Sequence, residues 1–268
     1  MNKRLSRAFG IFFLLVELSI VPKAIDLMLN QHFSELSPIR IIALSMTFGS
    51  IALCILMSFS SLSEHESYPL HTFLFELMTF MCCLAPMTDL ISRTLDSSNM
   101  PRLNMLVNTV FYLIGINVTY VIMQYEFLVI GKTDKPLYKL IKKAAGILVL
   151  ADNLATLLNV KLGFFFTINE DGMYQSAPTF WISYIPPAAV IAATAFIAAK
   201  ELKPGRQRRA FLSFWMFTLV SSMLQVWNSD LSVQYTGYTL SIIVIYLNIQ
   251  SELDDFCLPS SLEKGKES

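Results

Sequence analysis

Long apolar stretches follow one another along almost the whole chain, and they leave too little sequence between them for a water-soluble core. A helix needs about 20 mostly apolar residues to cross a bilayer. Five stretches meet that length almost without charge: Ile41–Phe59, Phe180–Ala199, Ala210–Trp227, Leu231–Ile249, and Met105–Ile130 with Glu126 near its end. Two more meet it with acidic interruptions, Leu70–Ile91 (Glu76, Asp89) and Ala144–Val160 (Asp152). Charged residues make up only 15% of the 268, against about 25% in soluble domains. The expected fold class is therefore all-α, a polytopic transmembrane helix bundle set in a lipid bilayer.

The first stretch, Ala8–Leu29, is the ambiguous one, because Glu17, Lys23 and Asp26 interrupt it. It reads as an eighth span, as an interfacial amphipathic helix, or as a signal segment, although no small-x-small cleavage site follows the basic start Lys3, Arg4, Arg7. With it, eight helices are expected. The chain then divides into a basic N-terminal segment with the first helix (1–30), a seven-helix bundle (31–253) and a short polar tail (254–268).

Orientation follows from lysine and arginine, which accumulate on the cytoplasmic side. Lys132–Lys143 and Lys200–Arg209 are strongly basic, as is the N-terminus. Eight spans with both ends inside put all three on the cytoplasmic face and leave only Arg40, Arg93, Arg102 and Lys161 outside. In the longest outer connection, Phe164–Ile168 and Met173–Gln175 flank Asn169-Glu170-Asp171-Gly172, whose Asn and Gly suit a tight turn. A small extracellular β-hairpin is expected there; the other reading lets Phe164–Phe166 prolong the fifth helix.

No site of familiar chemistry is legible. Net charge is zero, so no basic field points to nucleic acid. Cys54, Cys82, Cys83 and Cys257 form no C-x-x-C pair, and His32, His65 and His71 lack ligand spacing. No phosphate loop or nucleophile triad is present. Accordingly no cofactor, no metal site and no enzymatic activity are expected. What remains are polar residues within apolar helices, which are costly there and call for a reason. Asp89, Asn108, Asp152, Asn153 and Tyr184 could face one outward-opening pocket, near Pro86 and Pro186-Pro187, prolines that interrupt helices at comparable depth. Asp89 could instead pair with Arg93 four residues on, and Asp152 and the asparagines could serve as interhelical hydrogen-bonding glue. Glu76 and Glu126 could reach headgroups or bond between helices.

Residues Asn159–Glu252 resemble the membrane-sensor half of bacterial diguanylate cyclases (GGDEF proteins) and of sensor histidine kinases with a seven-helix N-terminal region. The resembling segments are N-V-K-L-G-F-F-F-T-I-N-E-D-G-M-Y, P-T-F-W-I-S-Y, R-Q-R-R-A-F-L-S-F and T-L-S-I-I-V-I-Y-L-N-I-Q-S-E-L-D. Weaker similarity extends back to about Pro69. The chain departs from the pattern at Gln175-Ser176-Ala177-Pro178, where the family carries a basic residue and Gly before the proline. The resemblance implies a receptor-like module in a bacterial cytoplasmic membrane, with the last helix passing a signal inward through Gln250, Glu252 and Asp254. Its partner would be a second copy or a membrane or cytoplasmic signalling protein. Only fourteen polar residues follow Asp254, too few for a cyclase or kinase domain. The expected function is signal perception or protein association in the membrane. The rivals are a small-solute transporter or channel, and a structural membrane subunit.

Overall fold

The computed structural model describes residues 3–29, 38–61, 69–96, 100–131, 135–202, 205–227 and 233–257. Eight α-helices run through them: α1 (Lys3–Leu29), α2 (Pro38–Ser61), α3 (Pro69–Leu95), α4 (Pro101–Ile130), α5 (Pro136–Leu162), α6 (Ile185–Glu201), α7 (Arg206–Trp227) and α8 (Gln234–Cys257). Several boundaries follow directly from local chemistry. Proline opens α4 and α5, where its missing N–H is lost at no cost. Glycine closes them, Gly131 at φ 67° and Gly163 at φ 64°, in the left-handed conformation that favours a residue without Cβ.

Neighbouring helices alternate in direction, as paired side chains show. Ser92 meets Asn108 near one end of the α3–α4 pair, and Phe75 meets Tyr125 near the other. Phe127 packs on Tyr138 where α4 gives way to α5. Ser221 and Gln225 of α7 bond to the first turn of α8, while Phe214 lies level with Ser241. The starts of α1, α3, α5 and α7 therefore share one end of the bundle with the finishes of α2, α4, α6 and α8. That end carries Arg4, Arg7, Lys135, Lys139, Lys143, Lys200, Arg208 and Arg209. This is the basic end of the bundle. At it, Lys135 Nζ bonds to Glu201 at 2.7 Å and the Tyr138 hydroxyl donates to the same carboxylate, tying α5 to α6.

Among the described residues, six helical segments are long and apolar enough to cross a membrane: Ile41–Ser61, Leu70–Leu95, Pro101–Ile130, Pro136–Leu162, Phe180–Glu201 and Arg208–Trp227. The chain is thus an integral, multi-pass membrane protein. Leu106, Leu140, Leu150, Leu154, Phe196, Val220 and Met223 face outward, as a lipid-facing surface requires. Helices α1 and α8 are not among the six, yet both belong to the bundle. Phe9 and Phe13 of α1 lie along Phe73 and Phe80 of α3 in matching order, so α1 runs lengthwise beside α3 over this stretch. Glu17 faces inward, with no exposed surface.

The opposite end carries the hairpin. Strands β1 (Phe166–Ile168) and β2 (Tyr174–Ser176) pair antiparallel, with Thr167 opposite Gln175. Asn169 caps the turn by accepting the Met173 N–H at 2.8 Å, and Gly172 takes φ 83°. The Phe164–Phe166 segment therefore does not prolong α5, which Gly163 ends. Two expectations are corrected at the next element. Phe180–Tyr184 forms a short 3-10 helix rather than the first turns of a continuous sixth helix. Pro186 and Pro187 then occupy the opening positions of α6, so they begin a helix instead of breaking one. Pro86 does lie inside α3.

Candidate functional site

The hairpin is held down by a chain of buried polar groups beneath it. Asn104, with no exposed surface, donates through Nδ2 to the Gly172 carbonyl at 2.8 Å and to Asp96 at 3.0 Å. Asp96 in turn accepts the Tyr174 N–H at 3.0 Å. Ser92 donates to Asn104 Oδ1 at 2.9 Å, and Asn108 donates to Ser92 at 2.7 Å and to Asn104 Oδ1 at 2.8 Å. From α5, Asn159 accepts the Phe165 and Phe166 N–H groups at 2.6 and 3.4 Å and donates to the Phe166 carbonyl at 3.0 Å. Ser92, Asn104, Asn108 and Asn159 are buried, where an unmet donor or acceptor would cost about 1–3 kcal/mol. The network therefore fixes the hairpin's position on α3, α4 and α5.

Aromatic rings pack directly against this network. Tyr112 stacks on Phe166 at 5.0 Å between ring centroids, and its hydroxyl bonds to that of Tyr174 at 2.9 Å. Phe111 links Tyr112 to Tyr235 of α8, at centroid separations of 5.8 and 5.2 Å. The Tyr235 hydroxyl donates to the Phe111 carbonyl at 3.3 Å, and Tyr238, one turn on, bonds to Thr119 at 2.9 Å. Tyr184 joins the same group: Tyr174, Tyr238, Asp89 and Gln225 lie within electrostatic reach of its hydroxyl. This tyrosine cluster gathers α3, α4, α8, the hairpin and the 3-10 helix at one place, and it is the candidate site.

The five residues singled out in the sequence divide between two places. Asp89, Asn108 and Tyr184 all border the cluster. Asp89 bonds to Arg93 at 3.0 Å on its own helix, the local pairing that their i, i+4 spacing allows. Asn108 is spent within the network that seats the hairpin. Asp152 and Asn153 lie on α5, and Asn153 turns toward α4. Asn153 exchanges two hydrogen bonds with Asn117, at 2.8 and 3.4 Å, an interhelical pair of the glue type. Asp152 is 7% exposed and has no hydrogen bond or ion pair among the described residues. No described hydrogen bond joins these two to Asp89, Asn108 or Tyr184.

Gln250, Glu252 and Asp254 lie in α8, whose backbone remains helical to Cys257. Their side chains fall outside the described residues. Residues the sequence did not single out include Asn104, Ser92, Asp96 and Asn159, which hold the hairpin, and Tyr112, Tyr174 and Tyr235, which make the aromatic contacts. A weak signal existed in the asparagines recurring within apolar helices at 104, 108, 117 and 159. Glu76 and Glu126 take the interhelical option, with Ser61 donating to Glu76 at 3.2 Å and Trp215 donating to Glu126 at 3.1 Å. Among the described residues, no group of histidine, cysteine and carboxylate side chains has the geometry of a metal site.

Compared with protein-family models, with curated proteins and with solved structures, the chain finds no match.

Proposed function

We propose that this chain is a sensor-like membrane module that reads a signal at its hairpin end and passes it along α8 to its basic end, which faces the cytoplasm. One observation carries the reading. Helix α8 places Tyr235 and Tyr238 in the cluster under the hairpin and continues unbroken to Cys257, roughly 33 Å away at 1.5 Å per residue. A shift at the cluster would therefore act on a helix that bonds through Tyr246 to Ser60 in the last turn of α2 and then continues to Cys257. The quoted similarity to membrane sensors points the same way, and it implies a bacterial cell membrane as the setting. The lysine and arginine accumulation at the basic end supports the orientation.

Two experiments test this. Reporter fusions after Lys143 and after Arg209 should read cytoplasmic, and an insertion within Asn169–Gly172 should read external; an inverted result at Arg209 would refute the orientation. A cyclase domain fused after Asp254 should give activity that varies with one-, two- and three-residue insertions in Gln250–Asp254, because each insertion rotates the output by about 100°. Tyr112→Phe, which deletes the hydroxyl bond to Tyr174, should shift that activity.

One observation favours a second reading, a small-solute transporter or channel. Asp152 is a buried carboxyl in the middle of α5 with no hydrogen bond or ion pair among the described residues, and such groups mark substrate and ion paths. Solute flux by the unfused chain in liposomes, lost in Asp152→Asn, together with fusion activity indifferent to insertion phase, would establish the transporter in place of the sensor.

A further inference from the structure

The seam between α4 and α5 runs along the surface of the bundle, and near the basic end its polar groups are arranged in tiers. Lys139, Lys142 and Lys143 sit in the first two turns of α5 at i, i+3 and i+4, on one face of the helix. Lys142 Nζ lies over the Phe127 ring of α4 at 4.8 Å, so this face borders the seam. Lys143 is exposed, and neither it nor Lys142 has a hydrogen bond or ion pair among the described residues. Glu201, the acidic residue at this corner, is engaged by Lys135 and Tyr138. The charges of Lys142 and Lys143 are thus balanced by no described group.

One turn further along α5 the seam changes character. A Cβ on Gly146 would stand 3.6 Å from the Tyr120 hydroxyl, so that hydroxyl lies against the bare backbone of α5 just below Lys142. Tyr120 is half-buried and makes no hydrogen bond among the described residues. Deeper again, Leu150, Leu154 and Leu157 are exposed, and the Asn117–Asn153 pair ties α4 to α5 beside them. The spacing fits a bilayer. Lys143 and Lys161, both exposed, are separated by roughly 27 Å at 1.5 Å per residue, close to the roughly 30 Å of a hydrocarbon core. Lys142 and Lys143 therefore stand at headgroup level.

We propose that the α4–α5 seam binds a phospholipid with a net negative headgroup, of the phosphatidylglycerol class, through Lys142, Lys143 and Tyr120. Such a lipid has three tiers: an anionic phosphate, ester carbonyls and acyl chains. The seam presents ammonium groups, a hydroxyl and apolar leucines in the same order. Lys142 and Lys143 meet the phosphate, Tyr120 donates to an ester carbonyl beside Gly146, and a chain lies along Leu150, Leu154 and Leu157. A phosphatidylcholine offers the same chains, but its choline brings a positive charge to the lysines. Each lysine at a membrane surface strengthens attachment to anionic lipid about fivefold. The site goes beyond the sensor reading and stands or falls without it.

The test is native mass spectrometry of the full chain in micelles holding equal amounts of phosphatidylglycerol and phosphatidylcholine with matched chains. Phosphatidylglycerol adducts should be retained in severalfold excess. The double variant Lys142→Gln/Lys143→Gln should lower that retention about 25-fold, and Tyr120→Phe, which deletes one hydrogen bond, about fivefold. Arg208→Gln/Arg209→Gln removes as much charge from α7 at the same end and should leave the preference intact. Should the double lysine variant not fold, Lys143→Gln and Tyr120→Phe decide, and unchanged retention in both would overturn the site. Equal retention of the two lipids would overturn it as well. So would a loss in the α7 variant as large as in the α5 variant, because the basic end would then attract anionic lipid only by its general charge. Displacement of the lipid by excess inorganic phosphate would show that the seam takes a bare anion, and would overturn the lipid as its occupant.

Discussion

The two ends of the bundle bury polar groups in opposite ways. Under the hairpin, Asn104, Asn108, Ser92, Asp96 and Asn159 pass hydrogen bonds among themselves and to the backbone at 166, 172 and 174. Toward the basic end, Glu17 and Glu126 are as deeply buried, but each leaves one carboxylate oxygen without a hydrogen bond. A satisfied network specifies one arrangement and resists change, whereas an unmet buried charge destabilises the state that contains it. The hairpin end is thus built for fixed geometry, and the basic end retains groups whose energy depends on what comes to them.

The sharpest way to break this contrast is at Asn104. Replacing it with Leu would remove the bonds its side chain makes to Ser92, Asp96, Asn108 and the Gly172 carbonyl together, and about 3 kcal/mol of stability should be lost. Equilibrium unfolding in mixed micelles measures it, and limited proteolysis within Asn169–Gly172 should accelerate in parallel. A loss below about 1 kcal/mol would mean that the network is not what seats the hairpin.

Next in size is the junction of α7 and α8, where a Cβ on Gly237 would stand 2.0 Å from Ser221 Oγ and 3.0 Å from the Phe217 carbonyl. Gly237→Ala should cost about 2 kcal/mol as the helices separate. Ser221→Gly should recover part of this in the double variant, but not all, because the backbone contact remains. Full independence of the two substitutions would show that α8 already has room to move.

At the basic end the sign should reverse. Glu126→Leu removes a buried carboxyl whose single described hydrogen bond comes from Trp215, so stability should rise by about 1 kcal/mol despite the loss of that bond. Fluorescence of Trp215, 2% exposed, reports whether the packing survives. If this variant were destabilised as much as Asn104→Leu, the contrast between the ends would collapse. The smallest effect belongs to the half-buried Asn117–Asn153 pair between α4 and α5. A double-mutant cycle to Ala should return a coupling of about 0.6 kcal/mol, the typical strength of such pairs between membrane helices.

These effects bear on how much the chain reveals before it folds. The long apolar stretches already determine the helices, because a backbone in hydrocarbon must satisfy its own hydrogen bonds and a helix does this within one segment. Gly131 and Gly163 mark where α4 and α5 stop, and Asn169 with Gly172 marks the turn, through local backbone preferences. The i, i+4 pairing of Asp89 with Arg93 is likewise legible, since helix geometry alone brings them together.

What only the tertiary structure decided is which way each polar side chain turns and whom it meets. Glu17 reads in the sequence as an interruption that weakens the first helix; packed beside α2 and α3 it becomes the inward face of that helix. Pro186 and Pro187 read as a break in a long helix, yet the 3-10 segment before them makes them its beginning. Asn104 and Asn159 find the hairpin through partners 68 and 7 residues away, and Tyr235 joins a cluster with Phe111 across 124 positions. Separations of that order depend on which helices become neighbours. The apolar residues that drive a helix into the membrane do not encode its neighbours, because lipid tails solvate them as well as another helix does.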